Sequence, residues 1–164
     1  MIVCPNTSIH PDTLASLNEH APGGWESIRL DTQDPSAYFW ALHRLWAQPG
    51  DLVIVEHDNA LTAEVLPGFE ACEQWWCGHP YACAGNVTMA LGCTRFRAEL
   101  KQAEPDLLDE VGGIGNDGLP ARDWRRLDVR ILTVLNRRGY QWHWHEPQVP
   151  HFHVYPPPLP WPPR

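Results

Sequence analysis

The sequence contains no apolar run that approaches the roughly 20 residues needed to cross a bilayer. Its first residues also lack the basic segment and the long apolar stretch of a secretory signal. These absences argue against a membrane-spanning helix and against export. We therefore expect a cytoplasmic protein that has no membrane partner.

Basic residues are scarce. The chain has 12 lysines and arginines against 20 aspartates and glutamates, a formal net charge of −8. Nucleic acids and anionic membranes are bound by basic faces, so this charge disfavours broad electrostatic attachment to either. Six arginines form one local cluster, which is either a solvated helix face or a small basic patch: Arg122, Arg125, Arg126, Arg130, Arg137 and Arg138.

Cysteine is present in an odd number, five, and the paired C-x-x-C spacing of zinc knuckles is absent. With no export signal, a disulfide framework is not expected and reduced thiols are the default. Two interpretations remain open. The cysteines are either buried apolar side chains, or some of them form a zinc site drawn from Cys72, Cys77, His79 and Cys83.

Internal repeats are lacking, and so is a dinucleotide-binding glycine fingerprint. The glycine-rich stretch VGGIGNDGL at residues 111–119 does not connect a strand to a helix with the required spacing, so we interpret it as a loop. Proline is abundant, with 17 residues, and the PPPLPWPPR ending at 156–164 predicts an extended tail. Residues 1–155 are then expected to form one domain.

The remaining pattern alternates strands and helices. Apolar runs predict strands at 1–4, 25–30, 52–55 and 87–91, and helical periodicity predicts helices at 11–20, 37–47, 61–75 (interrupted at Pro67-Gly68), 94–103 and 123–137. Such alternation predicts a compact, Rossmann-like α/β fold, with a mainly parallel sheet flanked by helices.

Two carboxylates directly follow the most apolar strand, in the run VIVEHD. If the chain stays extended, Glu56 and Asp58 point to the same side, at the carboxyl edge where open α/β sheets bind ligands. Mg²⁺ and Mn²⁺ take such oxygen ligands and share them with substrate phosphates. The alternative is that these acids only end a strand and cap the next helix.

Histidines are concentrated near the end of the chain, with four of the nine in residues 143–153. In extended chain, His143 and His145 share one side, and His151 and His153 do the same. Three roles remain open for them: structural side chains, one histidine that completes the carboxylate metal site, or a separate zinc or iron centre.

The order of elements, the acidic pair after VIV and the late histidines resemble the GT-A superfamily of nucleotide-sugar glycosyltransferases. The segments GDLVIVEHD, LGCTRF and HWHEPQVPHFH also resemble small phage and viral proteins of glycosyltransferase type. The resemblance covers about residues 1–153. It implies sugar transfer from a UDP- or GDP-sugar with Mn²⁺ or Mg²⁺ as cofactor, in the cytoplasm of the host cell if the protein is viral.

The same resemblance implies roles for individual residues. Val55-Glu56-His57-Asp58 matches the family's acidic motif, so Asp58 would contact the metal and Glu56 the ribose or the metal through water. His145, His151 or His153 would supply a further metal ligand. The base and ribose would lie near four residues that follow the first two strands: Pro5, Asn6, Thr7 and Asp31.

Attack by an acceptor hydroxyl with inversion requires a carboxylate base, and we favour Asp128 over Asp123. The resemblance to virus-like enzymes implies one of three acceptors: a hydroxymethylated base in phage DNA, a virion protein or a small glycan. Aromatic side chains at Trp75, Trp76 and Tyr81, next to His79-Pro80, either stack on substrate or fill the core. Two other functions remain open: a histidine-ligated metalloenzyme and a non-catalytic binding module.

Overall fold

The structure is a computed structural model that describes residues 1–83, 86–88, 91–115 and 118–152. His153, the expected domain end at residue 155 and the proline-rich stretch lie outside the described residues. Within the described part, none of the helices has the length and apolarity needed to span a membrane.

Eight strands and six α-helices make up the described chain. The strands are β1 (Ile2–Asn6), β2 (Glu26–Arg29), β3 (Leu52–Val55), β4 (Trp76–Gly78), β5 (Tyr81–Cys83), β6 (Asn86–Thr88), β7 (Cys93–Phe96) and β8 (His143–Trp144). The helices are α1 (Pro11–His20), α2 (Ala37–Trp46), α3 (Val65–Ala71), α4 (Ala98–Ala103), α5 (Leu107–Gly113) and α6 (Leu127–Arg137), with a 3-10 turn at Trp124–Arg126 before the last.

Six strands form one central sheet in the order β2-β1-β3-β7-β4-β8, and β5 pairs with β6 in a separate hairpin. β1 runs parallel to both β2 and β3, and β4 runs parallel to β8, whereas β7 is antiparallel to its neighbours β3 and β4. The expected α/β fold with a mainly parallel sheet is confirmed, with β7 as the reversed strand.

Alternating side chains of β3 divide the core into two layers. Leu52 and Ile54 face the layer that includes α2, α4, α5 and α6, whereas Val53 and Val55 face the layer that includes α1 and α3. Both faces of β3 are therefore covered, which explains its uninterrupted apolar run. The polar residues that follow it emerge at the edge of the sheet, where the layers end.

The sequence interpretation was wrong at three places. Residues 94–96 belong to β7 instead of a helix, because the strand lies buried between β3 and β4 and Asp51 neutralises its Arg95. The predicted helix at 61–75 is reduced to α3, and β4 follows it. The glycine-rich stretch begins inside α5, where a Cβ on Gly112 would lie 2.6 Å from the Phe39 ring.

Candidate active site

The chain turns immediately after β3. Glu56 N donates to Gly92 O at 2.8 Å, and Asn59 N donates back to Glu56 O at 3.0 Å, so His57 and Asp58 lie in a turn instead of extended strand. This turn lies at the carboxyl end of β3, and its His57 O accepts a hydrogen bond from His10 N in the segment that follows β1. Its location is the expected one for a ligand site in an open α/β sheet.

Asp58 contacts one of the late histidines. Its Oδ2 lies 3.3 Å from His151 Nε2, with side chains only 11% and 6% exposed respectively. Asp58 Oδ1 also accepts a hydrogen bond from Asn59 Nδ2 at 3.2 Å. The structure thus brings together two residues from opposite halves of the chain that the sequence placed in one metal site.

Backbone hydrogen bonds hold His151 in this position. Ala60 N donates to Pro150 O at 3.0 Å and Phe152 N donates to Asp58 O at 2.8 Å, which forms a short antiparallel bridge. On its other side the same segment contacts the β5 region, where Val149 N donates to Pro80 O at 2.9 Å. His151 is therefore fixed between the β3 turn and β5.

The tautomer of His151 follows from its second contact. His151 Nδ1 lies 2.7 Å from Ala82 O, and a carbonyl only accepts, so Nδ1 carries the proton. In the neutral ring, Nε2 is then a lone-pair atom directed at the Asp58 carboxylate. Two acceptors at 3.3 Å require a shared proton or a cation between them, so this pair is chemically suited to bind a divalent metal.

The aromatic ring of Tyr81 packs on His151. The Tyr81 ring lies 4.8 Å from the His151 ring, and Tyr81 is only 5% exposed. Gly92 allows this approach, since a Cβ there would lie 2.5 Å from the Tyr81 ring. Of the aromatics predicted to stack or fill the core, Trp76 fills the core against Phe96 and Trp142, and only Tyr81 reaches the site.

Glu56 has a different partner from Asp58. Its Oε1 accepts a hydrogen bond from Tyr38 Oη of α2 at 2.9 Å. Burial raises the pKa of Glu56 to about 7, the Tyr38 hydrogen bond opposes that shift, and the charges of Asp58 and Asp128 add to it. The carboxyls are thus close enough to influence one another, although the expected extended arrangement is replaced by the turn.

The pKa of Cys4 in β1 is also affected by both carboxylates. Its pKa is raised to about 12, mainly by burial and then by the charges of Glu56 and Asp58. The thiol therefore stays protonated beneath the site. Neither Cys4 nor Tyr38 was singled out from the sequence, since no local pattern links them to residues 56–58.

Asp128 lies in the first turn of α6, within electrostatic range of Glu56 and Tyr38. Burial raises its pKa, although its Oδ1 accepts a hydrogen bond from Val129 N at 2.7 Å. Asp123, the other candidate base, is 1% exposed and caps the 3-10 turn by accepting from Arg125 N at 3.0 Å. The carboxylate of Asp123 is therefore used to cap the 3-10 turn, whereas Asp128 lies beside the candidate site.

The predicted nucleotide-side residues lie at the ends of β1 and β2. Pro5 and Asn6 are buried, and Asn6 Nδ2 donates to Cys4 O and Ser27 Oγ, both at 2.9 Å, so its amide joins the two strands. Thr7 is half-buried after β1. Asp31 is exposed after β2 and accepts from Gln33 N at 2.8 Å, in a turn. Thr7 and Asp31 are therefore the more exposed of the four side chains at this edge.

His145 lies elsewhere, in a cluster of cysteine and histidine side chains around the end of α3. Potential ligand atoms of Cys72, His143 and His145 lie within 4.8 Å of one another. The His79 ring stacks on His145 with centroids 5.2 Å apart. His143 and His145 thus lie on one side, and Cys72 and His79 join them from distant parts of the sequence.

Most of the six arginines clustered between residues 122 and 138 contact acidic or aromatic side chains. Arg125 pairs with Asp123, Arg137 and Arg138 pair with Glu110, and the Arg122 guanidinium lies 4.6 Å from the Trp40 ring centroid. Arg130 is only 2% exposed. These contacts join α6 to its surroundings.

No protein-family model matches the sequence, and no curated protein matches it either. The fold is similar to that of a solved glycosyltransferase involved in the glycosylation of the major capsid of PBCV-1, with a TM-score of 0.57 and 12% identity over 89% of this chain and 81% of that chain. The protein A197 from STIV aligns with a TM-score of 0.43 and 8% identity over 79% of this chain and 76% of that chain, too weakly to support an argument. At these identities the similarity to the PBCV-1 protein establishes the fold alone.

Proposed function

We propose that the protein is a metal-dependent glycosyltransferase that moves a sugar from a UDP- or GDP-sugar to an acceptor hydroxyl. The observation that supports this most directly is the Asp58–His151 pair, 3.3 Å apart at the carboxyl edge of the sheet. The similarity of the fold to a viral glycosyltransferase adds support. The proposal assigns Asp58 and His151 as protein ligands of Mn²⁺ or Mg²⁺.

The donor atoms fit such an ion. Neighbouring ligands of an octahedral ion with bonds of about 2.1 Å stand about 3 Å apart, close to the distance between these two side chains. A carboxylate suits Mg²⁺ and Mn²⁺, whereas an imidazole suits transition metals, so the mixed pair favours Mn²⁺. When bound, the cation would neutralise the diphosphate that leaves the sugar.

Other residues of the site would orient the donor and handle the proton. Glu56 carries part of a proton near neutral pH, which reduces its repulsion with Asp58, and Tyr38 fixes its orientation. Thr7 and Asp31, with the backbone at Pro5 and Asn6, would contact the base and ribose. Asp128 would accept the proton of the acceptor hydroxyl, and its raised pKa makes it a stronger base.

The charge distribution favours a protein or glycan hydroxyl as acceptor over DNA. The net charge is −8, and Arg125, Arg137 and Arg138 are paired with acidic side chains. A phosphate backbone would have to displace those pairs. The PBCV-1 neighbour takes part in glycosylation of a capsid protein, which agrees with this choice.

A thermal-shift panel of nucleoside diphosphates with and without Mn²⁺ tests the proposal, because ligand binding to the folded state raises apparent stability. We expect UDP or GDP to stabilise the protein only with Mn²⁺, and we expect Asp58→Asn and His151→Ala to abolish this effect. Asp109→Asn and His43→Ala are matched controls, since these residues form a surface pair at 3.1 Å. Absence of Mn²⁺-dependent binding of any nucleoside diphosphate would refute the proposal and favour a binding module.

Asp128→Asn separates the proposed base from the donor site. We expect Mn²⁺-dependent nucleotide binding to persist and sugar transfer to fall by about 10²–10⁴-fold, the usual contribution of a general base. Transfer kinetics with a donor and candidate acceptors provide the measurement, and Asp109→Asn is again the control. Unchanged transfer would remove Asp128 from the mechanism. Activity that survives Asp58→Ala and requires zinc or iron would favour the histidine-ligated metalloenzyme.

A further inference from the structure

Cys72, His143 and His145 converge on one small space. Cys72 follows the last residue of α3, His143 lies in β8, and His145 follows β8. Each offers one ligand atom, and these atoms lie within 4.8 Å of one another. His143 stands next to Cys77 in the parallel β4–β8 pairing, and His145 lies two residues further along the chain, on the same side as His143 and close to Cys72 at the end of α3.

His79 adds a buried nitrogen to this group. The residue is 1% exposed and its Nδ1 lies 2.9 Å from Pro147 O, so Nδ1 carries the proton. Among the described residues, none forms a geometrically well-defined hydrogen bond with His79 Nε2 or with His145 Nε2, which is also buried. Burial lowers the pKa of the His79 ring, and the Val65 backbone lies close enough to oppose that shift. The rings of His79 and His145 are both close to Gly68, because a Cβ there would lie 3.5 Å from His79 Nε2 and 4.0 Å from His145 Nδ1.

Unsatisfied buried nitrogens are uncommon in proteins and call for a specific partner. One thiol and several imidazoles match the ligand preferences of Zn²⁺, which binds cysteine sulfur and histidine nitrogen in a tetrahedral arrangement. Ligand atoms on such an ion stand about 3.3–3.8 Å apart, so small side-chain rotations would close the observed spacing. Magnesium and calcium are disfavoured because the group contains no oxygen ligand.

We propose that Cys72, His143 and His145 form a structural zinc site, with His79 Nε2 as the fourth ligand. This site is separate from the Asp58–His151 pair and does not depend on the proposed function. Bound zinc would link α3, β4 and the two-residue edge strand β8. The segment that follows β8 carries His151, so the zinc would also anchor the beginning of that segment.

Metal analysis of the full-length protein tests the proposal. After incubation with ZnCl₂ and desalting, we expect about one zinc per chain, as for a closed structural site. Replacement by Co²⁺ should produce thiolate-to-cobalt charge-transfer absorption in the near ultraviolet, and Cys72→Ser should abolish it. His145→Ala should weaken zinc binding by at least about 100-fold, more than the loss of an outer-shell partner.

Four control variants locate the metal. Cys4→Ser and His43→Ala change a thiol and an imidazole outside the cluster and should retain zinc. Asp58→Asn and His151→Ala should also retain it, which distinguishes this site from the proposed Mn²⁺ site. A zinc content below about a tenth of an equivalent, or a cobalt band that persists in Cys72→Ser, would overturn the proposal. If Cys72→Ser does not fold, the zinc content and cobalt spectrum of the wild-type chain decide the question.

Discussion

At the scale of single residues, the candidate site is defined by carboxyls in unequal surroundings. Asp58 faces His151, Glu56 accepts from Tyr38, and Asp128 lies half-buried at the start of α6. Burial raises the pKa of Glu56 to about 7 and raises that of Asp128 above its usual value. Grouped carboxyls with shifted pKa values are typical of functional sites, so this cluster is a better candidate for the active site than the acidic residues on the surface.

Glu56 should make stability depend on pH. Its pKa rises from 4.5 to about 7, so the folded chain holds a proton that the unfolded chain releases. Stability should therefore fall as pH rises from about 4.5 to about 7, then level off. Relative to wild type, Glu56→Gln should gain on the order of 2–3 kcal/mol between pH 4 and pH 8, because its amide does not titrate.

Urea unfolding at both pH values in EDTA provides this measurement. Glu19→Gln is the matched control, because Glu19 is exposed on α1. An identical pH dependence in Glu56→Gln and wild type would contradict the assigned shift.

At the scale of elements, the sequence predicted the helices and strands whose conformation depends on local sequence. β3 was predicted with its correct bounds because both of its faces are apolar, and helix periodicity located α1, α2 and α6. β7 was missed because its environment is set by Asp51, which lies 44 positions earlier and accepts from Arg95 Nε at 2.8 Å. Local sequence does not reveal such long-range compensation.

In the candidate site, too, the residues that depend on local sequence were predicted, whereas the histidine brought in by long-range pairing was not singled out. Glu56 and Asp58 were predicted from the strand before them, and a late histidine was expected beside Asp58 from family resemblance. The choice among those histidines depended on strand pairing: β8 carries His145 to α3, whereas the bridge at Asn59 carries His151 to Asp58. A single sequence contains no direct signal for that pairing.

Arg95 should be a strong determinant of stability, because it joins β7 to the end of α3. Its guanidinium donates to Asp51 and to the carbonyl oxygens of Phe69 and Cys72. Arg95→Met leaves these acceptors without a buried donor and should cost about 2–4 kcal/mol in the free energy of unfolding. Arg97→Met, which affects a more exposed pair with Glu99, should cost less than about 1 kcal/mol. Equal effects in chemical denaturation would contradict this role.

Gly92 should determine how closely the Tyr81 ring packs beside His151. In Gly92→Ala, the new Cβ would lie 2.5 Å from the Tyr81 ring and 2.8 Å from Asn59 Nδ2, so we expect a loss of about 1–3 kcal/mol and weaker Mn²⁺ binding. Gly113→Ala is the control, because no atom lies within 4 Å of a Cβ at that helix end. It should be neutral or stabilise by up to about 1 kcal/mol. Thermal unfolding and Mn²⁺ titration of both variants provide the comparison.

At the scale of the whole molecule, charge should limit the range of partners. With a net charge of −8, duplex DNA should bind more weakly than the roughly 10⁻⁴–10⁻⁶ M typical of non-specific binding, with or without hydroxymethylated bases. Fluorescence anisotropy at several salt concentrations measures this. Tight, salt-sensitive binding, together with sugar transfer to hydroxymethylated DNA but not to protein or glycan acceptors, would identify DNA as the acceptor instead.

The bridge between Asn59 and His151 has a consequence for when the proposed metal site can form during synthesis. A chain still emerging from the ribosome would have β1 to β7 available before residue 151 appears. Under the proposed function, such an unfinished chain would lack one of the two protein ligands for the cation. Only a chain that extends through residue 151 would then consume activated sugar, and copies truncated before that residue would be inert.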